Sequence, residues 1–168
     1  MFKLTTKTLT ALALLTAMEI VLSRFLSISA WNIKIGFSFI PVVIAAMMFG
    51  PAAAGIVAAL GDLLGAVLFP IGPYFPGFTL TAFLTGMVFG LFLYKKRDLK
   101  NVIGAVAVNQ FVLSLFLNTL WISILYGSPY LPLLTTRIFQ CVLLAAVQFA
   151  VIRAIEKMPV HLLEQMAV

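Results

Sequence analysis

Residues 37–69 read FSFIPVVIAAMMFGPAAAGIVAALGDLLGAVLF, two apolar runs that divide at Gly50-Pro51 and carry one ionisable side chain, Asp62. Proline disfavours a helical predecessor, so Gly50-Pro51 closes a short span, from about Phe37 to Phe49, and opens a longer one, Ala52 to Phe69. Carried outward, the same reading of apolar runs and breakers gives four more segments. A first span runs from about Thr8 to Phe25, and Pro70-Ile71-Gly72-Pro73 separates the third span from a fourth, Gly77 to Tyr94. A fifth, Val102 to Tyr126, stops at Gly127-Ser128-Pro129, and a sixth runs from about Leu133 to Ile155. The fold class this predicts is an all-α integral membrane protein: six transmembrane helices in one compact bundle, with residues 1–168 as a single domain.

Composition supports that class. The chain is 63% apolar and only 10% charged, with a mean hydropathy of +1.16, whereas a soluble domain carries about 25% charged residues. Six spans of roughly 20 residues use up the 168 positions and leave no room for a soluble catalytic domain. The sequence holds no G-x-x-x-x-G-K-[ST] phosphate loop, so any energy source for work across the membrane is expected from elsewhere. The first apolar run outlasts a signal-peptide core and ends in charged and aromatic residues, so it is expected to stay attached as a first helix. The one cysteine, Cys141, lies in an apolar run and reads as a small core residue. No metal or other cofactor is expected.

Charge orients the bundle. Lys3 and Lys7 precede the first span, Lys95, Lys96, Arg97 and Lys100 join the fourth to the fifth, and Arg153 and Lys157 close the sixth. Under the positive-inside rule, cytoplasmic termini put all of these cations on one side. The net charge of +6 is thus mainly a topological device rather than a nucleic-acid surface. Arg24, Lys34 and Arg137 remain on the outer side, where the rule gives no reason for them.

Depth then marks a site. An ionisable or amide side chain at the centre of a span costs on the order of 2.5–3.5 kcal/mol, so several at one level require a polar interior. Asp62 lies about seven residues, roughly 10 Å, from the outer end of its span. Asn118 and Trp121 are three apart on one helix face with Ser114 a turn below, Arg137 opens the sixth span and Arg24 closes the first. These five residues, Arg24, Asp62, Asn118, Trp121 and Arg137, predict an outward-facing pocket for a polar small molecule. Asp62 has two readings, an ion pair to Arg24 or Arg137 and a ligand contact. The second is preferred, because a buried ion pair adds little that leucine would not. The segment Pro70 to Gly77 is stiffened by prolines and presents Tyr74 and Phe75, either as a cover for a planar ligand or as headgroup-level aromatics. Leu26 to Gly36, with Trp31, Asn32 and Lys34, is a second candidate lid. Small residues recur at four-residue spacing. Gly61/Gly65 and Gly86/Gly90 are expected to pack the bundle, while Ala13/Ala17 on the first helix offer a smooth stripe to another membrane protein.

Several of these stretches occur together in a known family. Ser23-Arg24-Phe25-Leu26, Lys34 to Pro41 leading into Phe49-Gly50-Pro51, Gly61-Asp62-Leu63-Leu64-Gly65, Tyr74 to Thr79, and Asn118-Thr119-Leu120-Trp121 resemble the folate-specific substrate-binding (S) component of energy-coupling-factor (ECF) vitamin transporters. The resemblance runs from about Leu9 to Arg153. The asparagine and tryptophan of the fifth span and the Tyr-Phe-Pro-Gly-Phe loop favour folate over other vitamins.

The resemblance implies a cell-membrane protein that captures folate or reduced folates from outside but depends on a transmembrane coupling protein and two cytoplasmic ATPases for import. Ala13 and Ala17 match the alanine pair that meets the coupling protein. Asp62 would read the pterin, with Asn118 as a second contact. Tyr74, Phe75 and Trp121 would stack on its rings, and Arg24 and Arg137 would meet the carboxylates or the pterin carbonyl. An S component for another vitamin or a queuosine-type precursor is the alternative. An intramembrane enzyme is remote, because the sole histidine, His161, lies past the sixth span and the spans hold only the acids Glu19 and Asp62.

Overall fold

The computed structural model describes residues 5–30, 33–95 and 98–156. Trp31 and Asn32 of the second candidate lid, the side chain of Lys34, and Lys3, Lys96, Arg97, Lys157 and His161 lie outside the described residues. The first helix, α1 (Thr6–Arg24), is capped by Thr5, whose hydroxyl accepts from the Thr8 amide. The 11-residue α2 (Phe39–Phe49) stops at Gly50, whose φ of 88° is open to glycine alone at little cost. Pro51 then starts α3 (Pro51–Leu68) at the position where its missing N–H costs nothing, and Pro76 does the same for α4 (Pro76–Leu93). A 28-residue helix, α5 (Leu99–Tyr126), ends at Gly127 with φ 62°, and α6 (Tyr130–Glu156) completes the bundle. The five longer helices are each long and apolar enough to cross a membrane. Their boundaries fall within three residues of those read from the sequence.

Two features go beyond that reading. The connection from α1 to α2 is an antiparallel hairpin, β1 (Ser27–Ala30) with β2 (Ile33–Gly36), pairing Ser27 with Gly36 and Ala30 with Ile33. Four-residue strands flanked by apolar runs give too short an alternation to separate from a loop by pattern. The centre of α5, Val108–Asn118, is π-helical. A wide turn is a matter of backbone hydrogen-bond register and leaves little trace in composition.

The bundle is divided along its axis. Its apolar core joins Val43, Ala46 and Met47 of α2 and Ala54 and Val57 of α3 to Phe89 and Leu93 of α4, Val102 and Ala105 of α5 and Ile152 of α6. All of these lie toward the end that carries the α2–α3 and α4–α5 connections. At eleven residues α2 rises only about 17 Å from that end, well short of a ~30 Å hydrocarbon layer, and the hairpin leads into its start. The half of the bundle above α2 is therefore left to other groups. Outside, large apolar side chains such as Leu9, Val67, Leu91, Leu131 and Phe139 are exposed all round, the surface a lipid-facing bundle presents.

Helix α3 packs most extensively against α4, and glycine makes that contact possible. A Cβ on Gly86 or Gly90 would run into the backbone of Ala54 or Pro51, so this pair packs the bundle as expected. Gly86→Ala and Gly90→Ala should each cost about 1–3 kcal/mol through overpacking, read as a lower thermal midpoint in detergent. Gly104→Ala, which meets only the Phe92 ring, should cost clearly less, and equal losses at all three would refute the backbone argument.

Candidate ligand-binding site

Above the apolar core lies a cavity of about 420 Å³ beneath the hairpin and the α3–α4 connection. That volume is within the usual range for small-molecule sites, roughly 300–1,000 Å³. Arg24, Asp62, Tyr74, Phe75, Asn118 and Arg137 all line it. Residues from α1, α3, the α3–α4 loop, α5 and α6, read separately in the sequence, thus converge on one space.

On the α1–α3 side, the Arg24 guanidinium donates to the Asp62 carbonyl at 3.3 Å and stands 3.9 Å from the Asp62 carboxylate. Both side chains are largely buried, with relative exposures of 10% and 24%. The ion pair considered from the sequence is therefore present, but a charge-assisted bond of full strength is nearer 2.7–2.9 Å. Asp62 Oδ2 also accepts from the Thr79 hydroxyl at 2.8 Å, and Thr79 in turn lies 3.1 Å from the Tyr74 hydroxyl. This chain ties the loop over the cavity to α3. Nε of Arg24 is buried without a hydrogen-bond partner in the protein.

Gly61 and Gly65 differ from the pair on α4. They meet side chains of α1 rather than backbone: a Cβ on Gly61 would enter the Glu19 carboxylate, and one on Gly65 would sit 2.7 Å from Arg24 Nε. Their role is to leave room for two charged groups. The sequence pattern of small residues at i and i+4 is identical for both pairs, so only the facing residues distinguish them.

Across the cavity, Arg137 is buried to 5% exposure and donates to the Ser114 carbonyl at 3.4 Å. Sequence reading placed it at the opening of the last span. Because α6 begins at Tyr130, Arg137 instead lies about two turns, roughly 10 Å, inside. Cys141 is buried one turn further along, with its sulfur 3.8 Å from the Ser114 hydroxyl.

Trp121 departs from expectation. It does not line the cavity, although Asn118 does. Its indole N–H donates to the Thr81 hydroxyl at 3.0 Å, and its ring packs over Gly77 and against Phe75, with centroids 5.6 Å apart. Asn118 and Thr119 have ordinary α-helical dihedrals, so side chains three residues apart diverge by about 60°, and Trp121 is turned toward Gly77 and Thr81 of α4. Trp121 holds two lining residues, Phe75 and Thr81, from behind.

Five further acid or amide side chains line the cavity beyond those the sequence assigns to it: Glu19, Asn109, Gln110, Gln140 and Gln148. All are buried. The cost of polar groups in apolar spans would have flagged each of them. Glu19 lies as near the outer end of its span as Asp62 does, whereas the four amides lie further from the outer ends of theirs.

The family model described as ECF transporter, substrate-specific component, matches residues 7–161. The chain belongs to this family. It is 43% identical over 148 residues to the folate transporter FolT of Clostridium novyi (strain NT), covering 88% of this chain and 86% of that one. It is 28% identical over 156 residues to the folate transporter FolT of Leuconostoc mesenteroides, covering 89% and 84%. A crystal structure of FolT bound with folic acid superposes with a TM-score of 0.85 at 36% identity, covering 90% of this chain and 93% of the other. The protein is thus a multi-pass substrate-specific component in the cell membrane, a transport subunit and not an enzyme.

The support that Trp121 gives the wall is measurable. Trp121→Phe should lower stability by about 0.5–1.5 kcal/mol by removing the hydrogen bond to Thr81. In a double-mutant cycle with Thr81→Val the losses should be non-additive, and strict additivity would show that the two side chains do not interact.

Proposed function

We propose that this substrate-specific component binds folate or reduced folates from outside the cell and delivers them inward together with a transmembrane coupling protein and two cytoplasmic ATPases. The observation that carries the reading is the meeting of Arg24, Asp62 and Arg137 in one cavity, in a chain 36% identical to a FolT bound with folic acid. Folate has a flat heterocycle with donors and acceptors at one end and carboxylates at the other. A site for it needs cations, hydrogen-bonding groups and aromatic faces.

Each requirement has candidates. Arg24 and Arg137 supply the cations for the carboxylates or the pterin carbonyl. Asp62, with one oxygen held by Thr79, can accept from the pterin amino group and ring N–H, with Asn118 as a second contact. Phe75 and Tyr74 offer aromatic faces worth about 0.5–1.5 kcal/mol each beyond area burial, and Trp121 braces Phe75. The positive-inside rule orients the cavity outward with both termini in the cytoplasm, so residues 5–156 form one bundle loaded from outside. Ala13 and Ala17 are both exposed on α1, so they do not pack the interior and are free to meet the coupling protein.

Purified protein should therefore bind folate without ATP, near one ligand per chain, in titration calorimetry. Heat with riboflavin or biotin but none with folate would reject the folate assignment and leave the family intact. Asp62→Asn should weaken folate binding by about 1.5–3 kcal/mol, the range for a hydrogen bond to a charged group. Unchanged affinity would make Asp62 purely structural.

Replacing both Ala13 and Ala17 with tryptophan should leave folate binding in detergent nearly intact while abolishing uptake by vesicles that also contain the coupling protein and ATPases. Close backbone approach between membrane helices has no hydrophobic driving force to offset a bulky ring. Normal uptake by the double mutant would remove the stripe from the transport interface.

A further inference from the structure

The π-helical stretch Val108–Asn118 contributes Asn109, Gln110, Ser114 and Asn118 to the cavity wall. Asn109 and Asn118 are nine residues apart. At about 3.6 residues per turn nine residues make two and a half turns, which sets the two side chains on opposite faces. With i→i+5 bonding, at roughly 4.4 residues per turn, nine residues make close to two turns and share a face. Only in the wide register do both asparagines reach the cavity. In the ordinary one, with Asn118 on the cavity, Asn109 would be turned away from it.

Asn109 is also unusual in its burial. It is 3% exposed, and neither its amide nitrogen nor its carbonyl oxygen has a hydrogen-bond partner in the protein. Buried amides in folded proteins are nearly always paired, and leaving one unpaired is costly. Gln110 and Gln148, which line the same region, each keep an unpartnered side-chain oxygen as well. Nothing in the fold rewards a polar side chain at 109, yet a turn of uncommon geometry brings it to the cavity. Unpaired donors and acceptors at a wall are what a ligand with its own donors and acceptors satisfies.

We infer that the π-helical register of α5 is a positioning device of the binding site, and that Asn109, carried onto the wall by it, is a ligand-contacting, specificity-determining residue. This rests on the folate reading above and adds a residue to that site. An amide both donates and accepts, so Asn109 suits the uncharged, mixed donor–acceptor edge of a heterocycle better than a carboxylate.

The test pairs affinity with stability in one residue. Asn109→Leu is close in shape and removes an unpaired polar group. The ligand-free variant should unfold at the parent's temperature or above it, while its folate affinity in calorimetry falls at least tenfold. Asn109→Ser, smaller and still polar, guards against a variant that fails to fold and should show the same loss of affinity. Folate affinity within twofold of the parent in either variant would overturn the inference, as would loss of stability in both in proportion to lost binding. Absence of folate binding by the parent protein would instead reject the folate reading, and this inference with it.

Discussion

A buried guanidinium is the constraint around which this molecule is arranged. Arg137 lies two turns inside an apolar helix at 5% exposure, and Arg24 is nearly as enclosed. Neither is tolerable in hydrocarbon without polar surroundings. The cavity that supplies those surroundings exists because α2 is short: it begins only at Phe39, after the hairpin, and ends eleven residues later at Gly50-Pro51. Below that level the bundle is filled with valine, alanine, leucine and phenylalanine. Above it, charges and amides face one another across a space large enough for a ligand.

Glycine does two different jobs in maintaining this division. On α4, Gly86 and Gly90 bring backbone against backbone and tighten the pair of helices that frames both halves. On α3, Gly61 and Gly65 keep helices α1 and α3 close while leaving space for Glu19 and Arg24 between them. Substitution at the first pair strains the scaffold. At the second it would displace flexible charged side chains and leave the scaffold nearly untouched.

A substrate-specific component has to hold its ligand firmly. The polar groups described here are matched to that requirement. Several are incompletely paired within the protein, among them Nε of Arg24, the amide of Asn109 and the Asn118 carbonyl oxygen. Such groups lower the stability of the empty bundle and raise the gain on binding, the usual exchange between stability and function at a site. On the outside of α1, Ala13 and Ala17 leave a smooth exposed strip, the surface proposed for the coupling protein.

The sequence alone places the chain in the membrane class, draws its helices to within three residues, and marks Arg24, Asp62, Asn118 and Arg137 as polar exceptions in apolar spans. It could do so because hydrocarbon imposes a uniform cost on every polar side chain, which makes each exception visible without knowledge of its neighbours. What it left undecided concerns direction and register. Trp121 faces Thr81 rather than the cavity, Gly61 and Gly65 face side chains rather than backbone, Arg137 lies deeper than the apparent start of its span, and Asn109 joins Asn118 across nine residues. Each of these depends on how one helix is rotated, extended or widened relative to another. Those are properties of packing between segments distant in sequence, and no pattern confined to one segment contains them.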